Sequence, residues 1–337
     1  MKAFIHIGLA KTGTTSIQSV LASNRDELER LGFYFPRSGT INGQSGHHCL
    51  AWSLAGSPKT RDFCRGFSED AFRVEVAQKG EGRTVILSSE EFSALSFSYL
   101  GIRKLLRQFN ERDIYVVAYV REQAEFFNSL YQEIISDFID PGPAAEFARA
   151  RMREERYDYE RWFAIWADLL GPALIVRPFD RRFLRGGDAV TDFLNVVDLP
   201  LIYESKKEVL NSGLTNVQVA AVLELVQRTG DLLGPRPLPS HARLVLKQIA
   251  AKLVSSTDLS GGARYWGIMP DLVNDIRGRY HSGNRSFFES HGISDFTFSA
   301  AAHIPDLTML AFGDLPSTVK TSVDRAWKEM AELLRPK

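Results

Sequence analysis

The chain has 337 residues, enough for one large α/β domain or two small ones. It is 44% hydrophobic and 24% charged, a globular composition, and its 41 basic residues equal its 41 acidic ones. Zero formal net charge argues against a general nucleic-acid binder or membrane-surface binder, which need a basic excess, and leaves room for one local basic pocket. Cys49 and Cys64 are too few for a disulfide framework and stand in no CxxC pattern, so reduced thiols in a cytoplasmic protein are the expectation. His47 and His48 precede Cys49 without a second ligand cluster, and no metal site is expected. The apolar run at the N-terminus is too short for a secretion signal. No stretch approaches the roughly 18 apolar residues of a membrane span.

In chain order, residues 3–8 read as a buried parallel strand, followed by a Gly/Thr loop over 8–15. Residues 16–31 read as one helix, with Ile17, Val20, Leu21, Leu28 and Leu31 at helical spacing and Gly32 as its stop. Residues 36–48, rich in Gly, Ser, Asn and His, form a long loop of the kind that carries function. The segment TVILS at 84–88 is a second buried strand, and 95–109 is helical. DIYVVAYV at 113–120 is the clearest strand, with a helix over 122–138 after it and Pro141 and Pro143 as breakers. An aromatic helix with Tyr159, Trp162, Phe163 and Trp166 precedes a fourth strand at 173–176. The rest, from about residue 188, is mostly helical. Strands alternating with helices imply an α/β fold with a central parallel sheet and right-handed crossovers.

The loop GLAKTGTT, residues 8–15, joins a strand to a helix, where loop amides and the helix N-terminus converge on an anion. It has the outline of the kinase P-loop, GxxxxGK[ST], with Gly8, Gly13 and Thr15 in place. Thr14 stands where that motif requires lysine, and the lysine comes three residues earlier, as Lys11. A kinase sets its lysine on the β- and γ-phosphates, so the displacement argues for a different chemistry. The alternative of a plain glycine turn before a core helix fits the strand–turn–helix setting less well.

The run KTGTT at 11–15 resembles the 5′-phosphosulfate loop of sulfotransferases that use 3′-phosphoadenosine 5′-phosphosulfate (PAPS). Arg121, at the end of the 113–120 strand, and Ser129, eight residues later, match the pair that holds the 3′-phosphate in that family; Tyr131 completes a similar S-x-Y run. A forked guanidinium and a hydroxyl suit one phosphate. The resemblance covers residues 1–20, 84–92 and 113–135, extends loosely through the W-x3-W helix and the strand at 173–179, and is poor beyond 200. Asn211, Ser212, Gly213 and Leu214 look like a segment of bacterial members. No RKG loop is visible; Lys206, Lys207 or Asn211 are candidates to replace it, against the plainer reading of a solvated lysine pair.

The resemblance implies a P-loop-like three-layer fold in a single sulfotransferase domain over 1–337, with 1–200 as the nucleotide-binding core and 201–337 as a mostly helical extension. It implies Lys11, Thr12, Gly13, Thr14, Thr15, Ser16, Arg121 and Ser129 as the residues that bind PAPS or its product PAP. The acceptor is a small molecule or glycan, with no nucleic acid partner. Lys11 would also act in catalysis, and the acceptor proton needs a base. Glu90, after the 84–88 strand, resembles the glutamate of carbohydrate sulfotransferases, but the run SSEEFS lacks their lysine and proline and leaves Glu91 open. An acidic residue favoured by a helix dipole is the plainer reading. His48 is the rival base, and His6, inside the first strand, reads as a core residue. Among Phe33, Tyr34, Phe35, Trp52, Phe92, Phe97 and Tyr99, some are expected to stack on a sugar or aromatic acceptor and most to be core. A P-loop small-molecule kinase and a nucleotide-binding module without chemistry are the alternative functions.

Overall fold

The computed structural model describes residues 1–9, 11–41, 44–109, 113–203, 213–234, 238, 240–294, 298 and 307–335. Lys206, Lys207, Asn211 and Ser212 lie outside the described residues. Among the described residues five strands form one sheet: β1 Ala3–His6, β2 Phe33–Tyr34, β3 Thr84–Ser88, β4 Ile114–Val120 and β5 Leu174–Pro178. Every pairing is parallel, in the order β2-β3-β1-β4-β5. The fold is α/β, as the alternation of elements predicts.

Both sheet faces are covered. Register places Phe4, Ile86, Val117 and Tyr119 on one face and Ile5, Leu87, Val116 and Ala118 on the other, and each is at most 3% exposed. That two-sided burial is why these strands read as continuous apolar runs rather than alternating ones. On the first face, helices α1 Thr14–Ser23, α2 Arg25–Arg30 and α10 Ala189–Val196 contribute Ile17, Leu21, Leu28, Val190 and Phe193 to one core. Between them in sequence come α3 His48–Leu54, α4 Lys59–Phe63, α5 Glu69–Lys79, α6 Tyr99–Leu106, α7 Gln123–Ser136, α8 Ala144–Met152 and α9 Tyr159–Leu170. The later helices are α11 Asn216–Leu233, α12 Ser240–Val254, α13 Pro270–Ser290 and α14 Ser317–Leu334. Among the described residues no helix is long and apolar enough to cross a membrane.

The chain divides into two compact units, each discontinuous in sequence. The first takes residues 1–122, 155–210 and 280–300 and holds the sheet. The second takes 123–154, 211–279 and 301–337 and is helical, with a core of its own around Ile135, Leu225, Leu246, Val323 and Met330.

Three local expectations are corrected. The helix read over 16–31 is two helices, because Asn24 leaves helical geometry (φ −115°, ψ 23°) and turns its side-chain amide onto the Val20 carbonyl at 2.7 Å. The helix read over 95–109 is a 3-10 segment, Glu90–Phe97, followed by α6, with Ser98 capping α6 through the Gly101 amide. The expected free thiols are instead a disulfide, Cys49–Cys64, with Cα atoms 5.6 Å apart. The pair joins α3 to the residue that ends α4, a connection that spacing alone does not announce.

Candidate functional site

The strand order explains where a site belongs. The chain leaves β1 toward β2 and β3 on one side and returns to β4 on the other, so β1 ends at a topological switch point. Beyond its carboxyl end Ile7 and Leu9 continue the pairing, donating to the Val117 and Tyr119 carbonyls at 3.0 and 3.4 Å. The loop then turns through two left-handed residues, Lys11 (φ 65°) and Gly13 (φ 78°), into α1. Thr12 is fully buried, and its hydroxyl donates to the Leu9 carbonyl at 2.6 Å, tying the turn to its own strand. Gly13 needs its bare Cα: a Cβ there would lie 2.8 Å from the Ala189 Cβ at the start of α10.

No side chain caps α1. The Ser16 and Ile17 amides both donate to the Gly13 carbonyl at 3.1 Å, while the Thr14 and Thr15 amides ahead of them stand at the helix N-terminus, where backbone donors suit an anion. Among the described residues the buried Thr14 hydroxyl has no hydrogen-bond partner. A buried unsatisfied hydroxyl costs free energy unless something binds it, so its presence at this turn marks a place for a ligand oxygen. Lys11 and Thr15 are exposed and Ser16 half-buried.

Arg121 follows β4, the strand paired with β1, and is 8% exposed. Its Nη1 donates to the Lys11 carbonyl at 3.2 Å, and its guanidinium sits over the Phe179 ring, 5.7 Å from the centroid. The Tyr159 hydroxyl donates to the Arg121 carbonyl. Phe179 also lies 3.4 Å from the position of a Gly13 Cβ, so one ring floors both the loop and the arginine. Ser129 is half-buried on α7 and belongs to the second unit.

The third strand end supplies the acids. Ser89 leaves β3 and caps the 3-10 segment, accepting from the Glu91 amide at 3.2 Å. The two carboxylates then part. Glu90 Oε2 accepts from the side-chain amide of Gln18 at 3.0 Å, and Glu91 pairs with Lys59 at 3.4 Å. His48, the first residue of α3, is 7% exposed, with Nδ1 2.8 Å from Ser89 Oγ and its ring stacked near Trp52. Lys11, His48, Glu90 and Arg121 thus all lie in the first unit, at the carboxyl edge of the sheet or on the helix beside it.

His6 is fully buried, with Nδ1 2.8 Å from Ser88 Oγ; burial lowers its pKa to about 3 and keeps the ring neutral. Burial likewise lowers His47 to about 4, its two ring nitrogens facing the Pro36 and Ser88 carbonyls. Of the aromatic residues, Phe33, Tyr34, Phe35 and Phe92 are core, Trp52 is half-buried, and Phe97 and Tyr99 are exposed. Among the described residues no group of three or more His, Cys, Asp and Glu is arranged to hold a metal ion. A surface cavity of about 580 Å³ beside Lys2 and Thr84 lies at the amino edge of the sheet, opposite the Gly13 loop, and takes no part in this arrangement.

Sequence reasoning missed Gln18, Ser89 and Phe179. Gln18 stands five residues beyond Gly13 on the helix that the loop opens, and its 4% exposure amid polar neighbours is its only distinguishing mark. The candidate site therefore rests on its own geometry: no protein-family model, no curated protein and no solved structure matches this chain.

Proposed function

We propose that the protein is a sulfotransferase that moves a sulfuryl group from PAPS to a hydroxyl or amine acceptor, with a carbohydrate as the first choice. The observation that carries this reading is the turn after β1. Left-handed Lys11 and Gly13, the uncapped first turn of α1 and the unpartnered Thr14 hydroxyl make an anion cradle with its lysine ahead of the glycine. Thr14 in place of a helix-start lysine, and Glu90 in place of a magnesium-binding aspartate after β3, speak against a P-loop kinase.

When bound, the donor brings an activated sulfuryl group and departs as PAP. Lys11, Thr12, Gly13, Thr14, Thr15 and Ser16 hold the 5′ side through the loop and the first turn of α1. The Lys11 ammonium steadies negative charge at the oxygen that the sulfuryl group leaves. Arg121 takes the 3′-phosphate, and the part of Ser129 in that contact rests on its spacing in sequence. A group at the carboxyl end of β3 receives the acceptor proton. Lys11, Arg121 and the loop amides supply the positive charge the reaction needs without a metal ion. A single domain with a nucleotide-binding core over 1–200 and a helical extension over 201–337 belongs to the same reading. So does a cytoplasmic location, against which the Cys49–Cys64 pair weighs.

Thermal denaturation tests the nucleotide. PAP raises the melting temperature more than ADP or ATP and without Mg²⁺, because a ligand of the folded state stabilises by mass action, about 2.7 kcal/mol at a hundred times its Kd. Arg121→Ala weakens PAP far more than adenosine 5′-phosphosulfate, which lacks the 3′-phosphate; a charge-assisted contact of this kind is worth about 1.5–3 kcal/mol. A larger, Mg²⁺-dependent shift with ATP defeats the reading in favour of a kinase. PAP binding with no transfer to any acceptor leaves a binding module.

A further inference from the structure

Two side chains that no sequence motif singles out stand behind two of the candidate bases, His48 and Glu90. Ser89 is fully buried, and among the described residues its hydroxyl has two partners, the Glu91 amide and His48 Nδ1. A hydroxyl carries one proton and two lone pairs. The Glu91 amide occupies one lone pair. If His48 Nδ1–H donated to the other, the buried Ser89 proton would have no acceptor, and an unmade hydrogen bond of this kind is costly. The economical arrangement has Ser89 donating to Nδ1. A neutral His48 then carries its proton on Nε2, and a charged His48 carries one there too.

Nε2 is the atom a base would need bare. It lies 2.6 Å from the point where a Cβ on Gly46 would stand, and Gln18 Nε2 lies 2.8 Å from that same point. The imidazole edge and the Gln18 amide therefore crowd one spot, which residue 46 must leave free of any side chain. From there Gln18 donates to Glu90 Oε2 at 3.0 Å, and a carboxylate can only accept, so the amide orientation is fixed. Among the described residues Glu90 Oε1 has no hydrogen-bond partner, which leaves it for an incoming proton.

We infer that Ser89 and Gln18 assign the roles at this site: Glu90 accepts the acceptor's proton, and His48 is a hydrogen-bond donor through Nε2–H and not a base. The inference rests on the sulfotransferase reading for its chemistry, though not for the state of the ring. In the step, the acceptor oxygen forms a bond to sulfur and the bond from sulfur to the 5′-phosphate oxygen breaks, that oxygen keeping the electron pair. The hydroxyl proton passes to Glu90, and His48 Nε2–H donates to an oxygen of the group in transit. Ser89 and Gln18 are positioning residues, acting through His48 and Glu90.

Nitrogen NMR of histidine-labelled protein reads the ring directly, with no substrate. His48 shows Nε2 bonded to hydrogen and Nδ1 bare, and Ser89→Ala abolishes that preference; a bare Nε2 in the unaltered protein overturns the inference. Kinetics with an alkyl alcohol acceptor test the roles. His48→Ala lowers kcat by about 10²–10³, as loss of a transition-state donor does. His48→Gln, whose amide N–H replaces Nε2–H but takes no proton, recovers at least about tenfold of that loss. Glu90→Gln lowers kcat by about 10²–10⁴ with the alcohol and much less with a nitrophenol, which needs little help from a base. Gln18→Leu follows the same acceptor dependence at smaller amplitude, with the acceptor KM held; equal loss on both acceptors would mark Gln18 as merely structural. A His48→Gln variant as slow as His48→Ala, or a Glu90→Gln variant at full speed on the alcohol, overturns the assignment. Loss of the PAP thermal shift in the unaltered protein would instead defeat the sulfotransferase reading and leave the NMR result standing.

Discussion

Lys11→Ala is expected to lower kcat by about 10²–10³ while PAP still binds, the result that follows from the proposed role, in which this lysine acts on charge that develops only as the sulfuryl group departs. The side chain is exposed and the backbone is left-handed, φ 65°, a conformation that costs a residue with a Cβ of order 1–3 kcal/mol. A charge is thus carried where glycine would sit more comfortably, and the sequence tolerates that cost only if the ammonium is needed. Lys11→Gly separates the two effects. It removes the same charge and relieves the backbone, so the glycine variant melts no lower than the unaltered protein and turns over as slowly as the alanine variant. Single-turnover rates beside PAP titrations provide the comparison. A glycine variant with near-normal turnover would show that Lys11 is there for the turn and not for the chemistry.

The second large effect is on stability. Asp192 on α10 is fully buried and accepts four hydrogen bonds. Arg177 of β5 supplies two, at 3.0 and 2.5 Å, the Tyr119 hydroxyl of β4 one at 2.8 Å, and the Arg185 amide one at 2.9 Å. The pair raises Arg177 above the usual guanidinium range. Burial first, and then the facing carboxylate, raises Tyr119. Asp192→Ala leaves a half-buried guanidinium and a buried phenol without their partner, and removing one side of such a pair costs about 3–5 kcal/mol. Denaturant titration followed by tryptophan fluorescence should show the loss. It reaches the site as well, because α10 begins at Ala189, the residue pressed against Gly13. PAP affinity therefore falls in the same variant, and a destabilisation under about 1 kcal/mol would show that the network is replaceable by water.

What the sequence revealed and what it hid divide by the range of the interactions. Strands β1, β3, β4 and β5 were legible because each is a continuous apolar run between polar turns, and their carboxyl ends located Lys11, Glu90 and Arg121. The two-residue strand Phe33–Tyr34 was not, since two aromatic residues set no period and their burial depends on β3 lying beside them. The same holds for the site's supporting side chains. Gln18 meets Glu90 across 72 positions and His48 meets Ser89 across 41, and no local pattern reports such pairs. Asp192 reads as an ordinary polar residue of a short helix until Tyr119, 73 positions away, closes on it. The candidate site residues follow motifs; those that hold them follow the fold.

The disulfide has a consequence for the segment it closes. None of residues 55–63 is buried, and α4 within them is five residues long, too short to hold itself. Among the described residues its side chains reach the rest of the protein through the Lys59–Glu91 ion pair, the Lys59 ammonium over the Trp52 ring and Phe63 against Trp52, all at the surface. Cys64, 7% exposed, is where this stretch is fastened to the interior. The disulfide thus ties this exposed stretch to the buried helix α3, whose own residues Leu50, Ala51 and Leu54 are held by packing. The turn at Gly13 is tied to β1 instead, through the Thr12 hydroxyl on the Leu9 carbonyl.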